Sequence, residues 1–232
     1  ALIDLLNQPL EGMPLIALLH WLHQAELQER FPLPEQLFDY GLWWREQASA
    51  AMAHMAFDAA GCILREPISA GDALMPEQRP FGVNLIGHAF EVFGIGEDVR
   101  MAALALGSAG VPFCVLNVPA HNGAAASDRS LEAHSLAPGE LGPYRFNLVC
   151  LAAPSHGAWI AREGLAQQRG RTTIVAWPWE TQTWPQAWEC LIPLADGLWP
   201  SSTFTAQALE PFADPKRRCL QVMPMAVHIE QP

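Results

Sequence analysis

Short apolar runs alternate with helical apolar repeats in the chain from residue 80 onward. Buried strands are predicted at 81–86, 113–118, 146–152, 172–177, 197–200 and 220–223. Helices are predicted between them at 96–110, 157–168, 186–194 and 201–209, the last capped by Ser201, Ser202 and Thr203. This alternation predicts an α/β fold with a Rossmann-like, doubly wound parallel sheet, whose ligands bind at the carboxyl ends of the strands.

The first part of the chain has a different pattern. Apolar residues at helical spacing, with Pro14 in the first turn, predict a helix over 14–29, and a second helix is predicted from the break at 31–34 to about residue 58. Three prolines and a glycine in 65–80 predict a linker. We therefore divide the chain into a helical segment with its linker, 1–79, and a Rossmann-like domain, 80–232.

Composition narrows the class of protein. Half of the residues are hydrophobic and 16% are charged, which excludes a disordered chain. The formal net charge of -11 excludes a sequence-independent nucleic-acid binder, because such a protein needs basic residues to displace counterions from phosphates. We therefore expect no nucleic-acid partner, although one bound nucleotide remains compatible with this charge.

Cysteine usage and hydropathy bear on the compartment. The five cysteines are scattered without a close pair, so neither a zinc motif nor a disulfide framework is predicted. The odd number favours a reducing compartment, whereas a chain that begins at Ala1 leaves secretion open.

The uncharged stretch 101–120 has the length of a membrane span, but glycines and prolines interrupt it. We interpret it as a helix end, a turn and a buried strand.

The loop between the first predicted strand and its helix is the first candidate site. Glycines at 87, 94 and 96 allow a ligand to approach the backbone, and a helix N-terminus favours a phosphate. The dinucleotide-binding fingerprint is not met, because Val99 stands where a third glycine is needed and the next strand ends without a carboxylate. Neither a P-loop nor a Gly-x-Ser-x-Gly motif is present.

Four motifs in order resemble the amino-terminal half of bacterial family 4 glycosyltransferases, over about residues 80–228. They are Gly82-Val-Asn-Leu-Ile-Gly87, Gly94-Ile-Gly-Glu97 with Arg100, Trp177-Pro-Trp-Glu180, and Trp199-Pro-Ser-Ser202 with Phe204. The resemblance implies a GT-B fold, in which two Rossmann-like halves face each other across a cleft. The second half, which binds most of the donor and supplies a Glu-x7-Glu pair, is absent from this sequence. Glu132 and Glu140 have that spacing, but we interpret the match as chance because they lie in the polar connection 121–142.

The resemblance also implies roles for particular residues. Backbone N–H groups of Gly94, Gly96 and Glu97 are expected to bind the donor phosphate, with a plain structural turn as the alternative. The carboxylates of Glu97 and Asp98 would repel a phosphate if both faced the cleft. The expected acceptor-binding residues are Asn84, His88, Trp177, Trp179, Glu180 and Ser202. The alternatives are a core plug for the tryptophans, a satisfied loop histidine and a helix cap for Ser202. No catalytic residue is assigned here, because the main donor-side carboxylates are expected in the second half.

The activity implied is transfer of a sugar, with retained configuration, from a nucleotide-sugar donor to a hydroxyl acceptor. This chain would supply the acceptor-side half, with a C-terminal GT-B half as partner and a glycan or lipid-linked acceptor. No cofactor is expected, and no Asp-x-Asp pair is present to hold a metal. The family's work in bacterial polysaccharide assembly implies a cytoplasmic location, at the inner face of the membrane by peripheral association. The alternative function is a non-catalytic sugar-binding or assembly module.

Overall fold

The computed structural model describes residues 2–52, 57–63, 75–120, 124–163 and 165–228. Internal contacts divide the chain into two compact units. The first contains residues 1–70 and 154–165, and the second contains residues 71–153 and 166–232. The stretch 154–165 returns to the first unit between two strands of the second unit, so the first unit is not simply an N-terminal segment.

The first unit, as described up to residue 52, contains helices and one short hairpin. The helices are α1 (Leu2–Leu6), α2 (Leu15–Leu22), α3 (Ala25–Arg30) and α4 (Leu37–Ala51), and the hairpin strands are β1 (Pro9–Leu10) and β2 (Met13–Pro14). Glu11 and Gly12 both have positive φ, 51° and 81°, as a two-residue type I′ turn requires. The pattern of apolar positions did not predict this hairpin, because two-residue strands are too short to show an alternation.

Two large aromatic side chains lie at the centre of the first unit. Tyr40 and Trp44 are both fully buried, one turn apart on α4. The hydroxyl of Tyr40 donates to the carbonyl of Ala17 at 2.7 Å, and Nε1 of Trp44 donates to the carbonyl of Gly61 at 2.9 Å. Because each polar tip has a partner, the rings are buried without leaving an unsatisfied donor.

The helix predicted over 14–29 consists of two helices. The chain is extended at Gln24, between α2 and α3, with φ −121° and ψ 96°. The side-chain amide of Gln28 donates to the carbonyls of Trp21 and Leu22 at 3.2 and 2.8 Å. These carbonyls lie at the end of α2, where helical partners are lacking. Helix α3 therefore adds a side-chain cap to the backbone turn that ends α2.

The second predicted helix is shorter than expected. Helix α4 ends at Ala51 and not near residue 58, and the chain at 57–63 forms a turn closed by a bridge between Phe57 and Ile63. Residues 53–56 and most of the predicted linker, 65–80, lie outside the described residues, and Pro76–Gln78 forms a single 3-10 turn.

The second unit contains a six-stranded parallel sheet. Its strands are β3 (Val83–Gly87), β4 (Phe113–Asn117), β5 (Phe146–Cys150), β6 (Thr172–Val175), β7 (Gly197–Leu198) and β8 (Cys219–Leu220). They lie in the order β4-β3-β5-β6-β7-β8, and every neighbouring pair is parallel. The predicted α/β class with a parallel sheet is confirmed, and the topology is compatible with a Rossmann-like fold.

Helix α5 (Gly94–Ser108) connects β3 to β4 and ends as the sequence predicted. Gly110 has φ 67°, its N–H donates to Gly107, and the N–H of Val111 donates to Leu106, which together form a Schellman motif. On its buried face Val99 packs in the core of the sheet with Leu85 and Val115 of the adjacent strands. The uncharged stretch 101–120 therefore is a helix end, a turn and a strand, as interpreted. No helix in the described part of the chain is long and apolar enough to cross a membrane.

Several later elements differ from their predictions at their ends. Helix α6 (Ala153–Glu163) begins four residues earlier than predicted, with Pro154 in its first turn. Residues 186–194 form a 3-10 helix that contains Pro193. Helix α7 (Thr203–Leu209) is capped by Ser202, as predicted. The connection 121–142 contains one 3-10 turn, Glu132–His134, among its described residues.

Membership of α6 in the first unit can be tested by deletion. Removing residues 1–63 takes away the helices with which α6 clusters, so the buried Trp159 and Ile160 become exposed to water. We expect the shortened chain to lose its cooperative thermal transition and to bind a hydrophobic dye. A matched control, deletion of residues 229–232, should leave the transition unchanged. Equal transitions for the full and shortened chains would contradict the assignment of α6.

Candidate functional site

The order of strands reverses between β3 and β5. Strand β4 lies on one side of β3, and the later strands lie on the other side. At such a reversal the loops that leave two neighbouring strands diverge and open a crevice for ligands. Gly87 and Cys150, the last residues of β3 and β5, are partners at this position. The candidate site is therefore built on the loop 88–93, which follows β3.

Helix α5 packs directly against this loop at Gly96. A methyl group at Gly96 would lie 2.8 Å from the carbonyl oxygen of His88 and still closer to that of Glu91. By contrast, a methyl group at Gly94 would have no heavy atom within 4 Å. The two glycines of the motif thus differ, since packing requires Gly96 whereas Gly94 faces open space.

Arg100 holds the same loop from the helix side. Its Nη1 donates to the carbonyls of Ala89 and Glu91 at 3.0 and 3.1 Å. Its Nε lies 2.8 Å from the Glu97 carboxylate and 3.4 Å from that of Asp128, and the side chain is 10% exposed. One planar guanidinium with five donors therefore satisfies two loop carbonyls and pairs with two acidic residues.

The residues expected to bind the donor phosphate lie in the first turn of α5. Gly94 begins the helix, and first-turn N–H groups have no partner within a helix. The N–H of Glu97, however, donates to the carbonyl of Phe93 at 3.1 Å, and its carboxylate pairs with Arg100. Of the three residues only Gly94 faces open space, since Gly96 is buried against two loop carbonyls. Phosphate binding by all three residues stays a prediction.

His88 is held between two elements at the carboxyl edge of the sheet. Its ring is 7% exposed, and Nδ1 lies 2.6 Å from the carbonyl oxygen of Val118, in the loop after β4. The ring also lies 5.3 Å from the ring of Phe93. Next to it, the N–H of Phe90 donates to Asn117 at 3.3 Å. These contacts hold the loop after β3 and the loop after β4 together.

Asn84 lies near the amino end of β3, away from the loops that follow β3 and β4. Its side chain is completely buried, and Nδ2 donates to Asn147 at 2.9 Å and to the carbonyl of Tyr144 at 3.0 Å. Its oxygen accepts from the N–H of Tyr144 at 3.0 Å and from the thiol of Cys114 at 3.4 Å. The hydrogen-bonding capacity of the amide is thus used within the protein, and its position is that of a structural residue.

The tryptophans after β6 pack on one another. Trp177 is buried and stacks on Trp184 with ring centroids 5.5 Å apart, while Trp179 lies 5.3 Å from Trp184 and 5.1 Å from Trp188. Nε1 of Trp179 donates to the carbonyl of Thr183. The cluster follows the carboxyl end of β6, so it belongs to the same edge of the sheet as the loop 88–93.

Glu180 follows β6, like the tryptophans, and Ser202 follows β7. Glu180 is exposed. The Ser202 hydroxyl accepts from the N–H of Thr205 at 3.2 Å, and the Thr205 hydroxyl accepts from the N–H of Ser202 at the same distance. This reciprocal pair caps α7 and occupies the Ser202 side chain. Acceptor binding by Glu180 and Ser202 stays a prediction.

Glu91 is a residue that our interpretation of the sequence missed. It is 2% exposed, and its Oε1 accepts from the N–H of Ala120 at 3.0 Å. Its Oε2 is buried and has no hydrogen-bond partner in the described part of the chain. A signal was present, because Glu91 is the only charged residue in the apolar loop sequence Ala89-Phe-Glu-Val-Phe93. A buried carboxyl group without a full set of partners is a frequent mark of a functional position.

Asp98, next to Glu97, is half-buried on the same helical turn. Burial, together with the neighbouring Glu97 carboxylate, raises the pKa of Asp98 to about 6. Burial and the Asp98 charge in turn raise the pKa of the Cys150 thiol to about 12. The charge of Asp98 therefore affects the thiol of Cys150, the last residue of β5, whereas the Glu97 carboxylate pairs with Arg100.

A cavity of about 720 Å³ lies along α5, and Glu97 and Arg100 are among the residues that line it. It is lined by residues of α5, by Phe113 at the start of β4, and by the segment 128–134. Neither His88 nor the tryptophan cluster lines it. We therefore base the candidate site on the strand ends and not on this cavity.

The described residues contain no group of three or more His, Cys, Asp or Glu side chains that could hold a metal ion. No family model and no curated protein matches this chain. The candidate site therefore rests on the positions and contacts given above.

The difference between the two motif glycines predicts different costs of substitution. Gly96→Ala should lower the free energy of unfolding by about 1–3 kcal/mol, because the added methyl group overlaps two backbone carbonyls that cannot move freely. Gly94→Ala should leave stability unchanged or slightly higher, because its methyl group meets open space. Urea titrations of both variants test this, and similar losses for the two would contradict the packing role of Gly96.

The raised pKa of Asp98 predicts a pH-dependent stability. The folded chain binds this proton more tightly than the unfolded chain, so ionisation between about pH 4 and pH 6 lowers the free energy of unfolding. Asp98→Asn should therefore be more stable than the wild type by about 1 kcal/mol at pH 7, allowing for partial exposure, and about equal to it below pH 4. Asp39→Asn, an exposed first-turn carboxylate of α4, is the matched control. Urea titrations at both pH values should show no such gain for the control.

Proposed function

We propose that this chain is the acceptor-side half of a retaining glycosyltransferase that uses a nucleotide-sugar donor. One observation carries the proposal: three of the four motifs that resemble family 4 glycosyltransferases follow the carboxyl ends of β3, β6 and β7 in one parallel sheet. These motifs are far apart in sequence, so a shared edge is what a common ligand crevice requires.

The loop after β3 has the features that such a role needs. The 15-residue helix α5 begins at Gly94, beside open space, so its N-terminal dipole can act on a donor phosphate. Gly96 and Arg100 hold the loop rigidly against this helix. Rigid dipoles stabilise developing negative charge without reorganisation during the reaction. The leaving nucleoside diphosphate would therefore meet a prepared environment on this side of the cleft.

The alternative is a non-catalytic sugar-binding or assembly module, and one observation favours it. In the first unit the exposed side chains of Phe38 and Leu42 line a groove of about 390 Å³, together with Met13 and Arg45. Exposed apolar side chains around a groove are typical of protein interaction surfaces. A module of this kind would bind a glycan or a protein but no nucleotide.

Nucleotide binding distinguishes the two functions. We expect at least one of UDP, GDP, dTDP and ADP to show saturation-transfer NMR signals with the chain, and inorganic pyrophosphate to compete. Gly94→Leu should abolish the signal by filling the open space before the first turn. Gly107→Leu, at the other end of α5, is the matched control and should retain it, because position 107 also has room for a side chain. Absence of signal for all four nucleotides would favour the binding module.

A further inference from the structure

Glu91, in the loop of the candidate site, has an unused hydrogen-bond acceptor. Its Oε1 is bound by the N–H of Ala120, whereas Oε2 is buried with no partner in the described part of the chain. Leaving a buried charged oxygen unsatisfied costs more than leaving a neutral one unsatisfied. A position with this cost is retained more readily where a ligand supplies the missing donor.

The surroundings of Glu91 keep its carboxyl group in place. The backbone carbonyl of Glu91 accepts from Arg100 and lies against Gly96, so the residue is anchored to α5. The neighbouring His88 is anchored to the loop after β4, which also supplies the bond from Ala120. Oε2 therefore has a fixed position between two loops at the carboxyl edge of the sheet. Because it is buried, a ligand reaches it only when a covering segment moves aside.

The local charge indicates the chemical class of the ligand. The loop, the adjoining turn and residues 128–129 carry four carboxyl groups and two guanidinium groups. The carboxyl groups are those of Glu91, Glu97, Asp98 and Asp128, and the guanidinium groups are those of Arg100 and of Arg129, which lies over the Phe90 ring. An anion that approached Oε2 would be repelled by the excess of carboxylates. A neutral hydroxyl group can donate a hydrogen bond to Oε2 without this penalty. Sugars are the neutral, multiply hydroxylated ligands that fit the function proposed above.

We propose that Glu91 is an acceptor-binding residue, whose Oε2 accepts a hydrogen bond from a non-reacting hydroxyl group of the acceptor sugar. This assignment rests on the proposed function and adds the residue that orients the acceptor. The bond is formed on binding, and no proton is transferred. Because bonds to charged acceptors are stronger than bonds between neutral groups, Glu91 would contribute more to acceptor affinity than a neutral residue in the same place.

The test uses the full chain with methyl α-D-glucopyranoside, methyl α-D-galactopyranoside and methyl α-D-mannopyranoside as probes. We expect saturation-transfer NMR titrations to show binding of at least one glycoside. Glu91→Gln keeps the acceptor for Ala120 and replaces Oε2 by a donor, so it should weaken that affinity about tenfold or more, or about 1.4 kcal/mol. The control Glu132→Gln, an exposed carboxylate, should bind as the wild type does.

A second measurement does not depend on a variant. In the wild type, a hydroxyl group on Oε2 should change the amide NMR shift of Ala120, whose N–H is bound to the same carboxyl group. Glycoside binding without this change, or with unaltered affinity in Glu91→Gln, would overturn the proposal. No glycoside binding at all would overturn it too. Nucleotide binding is measured separately, so failure of the acceptor subsite is distinguished from failure of the transferase function.

Discussion

The candidate site depends on one packing constraint, the contact between two loop carbonyls and the first turn of α5. His88 and Glu91 direct their carbonyl oxygens at Gly96, where no side chain fits. Buried carbonyls need donors, and Arg100 donates to the carbonyl of Glu91 and to that of Ala89 in the same loop. The loop can therefore turn back on itself within a few residues of β3 and still begin a helix at Gly94. The positions of His88 and Glu91 both follow from this turn.

The parallel sheet could be predicted because its central strands β3, β4 and β5 are buried on both faces and appear as short apolar runs. Strand β4 was predictable from its apolar run, and the end of α5 was predictable from its glycine, since local residues specify both. The division of the first predicted helix could not be predicted in the same way. It depends on Gln28, whose side chain caps α2 only after the chain has turned at Gln24. Such a contact leaves the apolar period of the sequence unchanged.

Only part of the candidate site was predicted, because local sequence features are visible and contacts between distant residues are not. A glycine-containing loop before a helix is visible in sequence, and it led to Gly94 and Gly96. The difference between them is not visible, because it arises from the return of the loop onto the helix. Burial of Asn84 in an amide network and of Glu91 in an apolar loop likewise depends on neighbours distant in sequence. The membership of α6 in the first unit is a further property of this kind.

The charges around α5 bear on which half of the proposed two-half enzyme this chain would supply. A helix N-terminus attracts anions, but its contribution amounts to about half an elementary charge. Here it is opposed by acidic side chains, of which the Glu97 carboxylate is compensated by Arg100, while the Asp98 carboxylate helps to raise the pKa of the Cys150 thiol. A diphosphate is therefore expected to bind this chain alone only weakly, within the range that saturation-transfer NMR detects, and cations or dipoles from elsewhere would strengthen its binding. A neutral, hydroxylated acceptor meets no such opposition. The distribution of charge thus agrees better with an acceptor-side half than with a complete donor site.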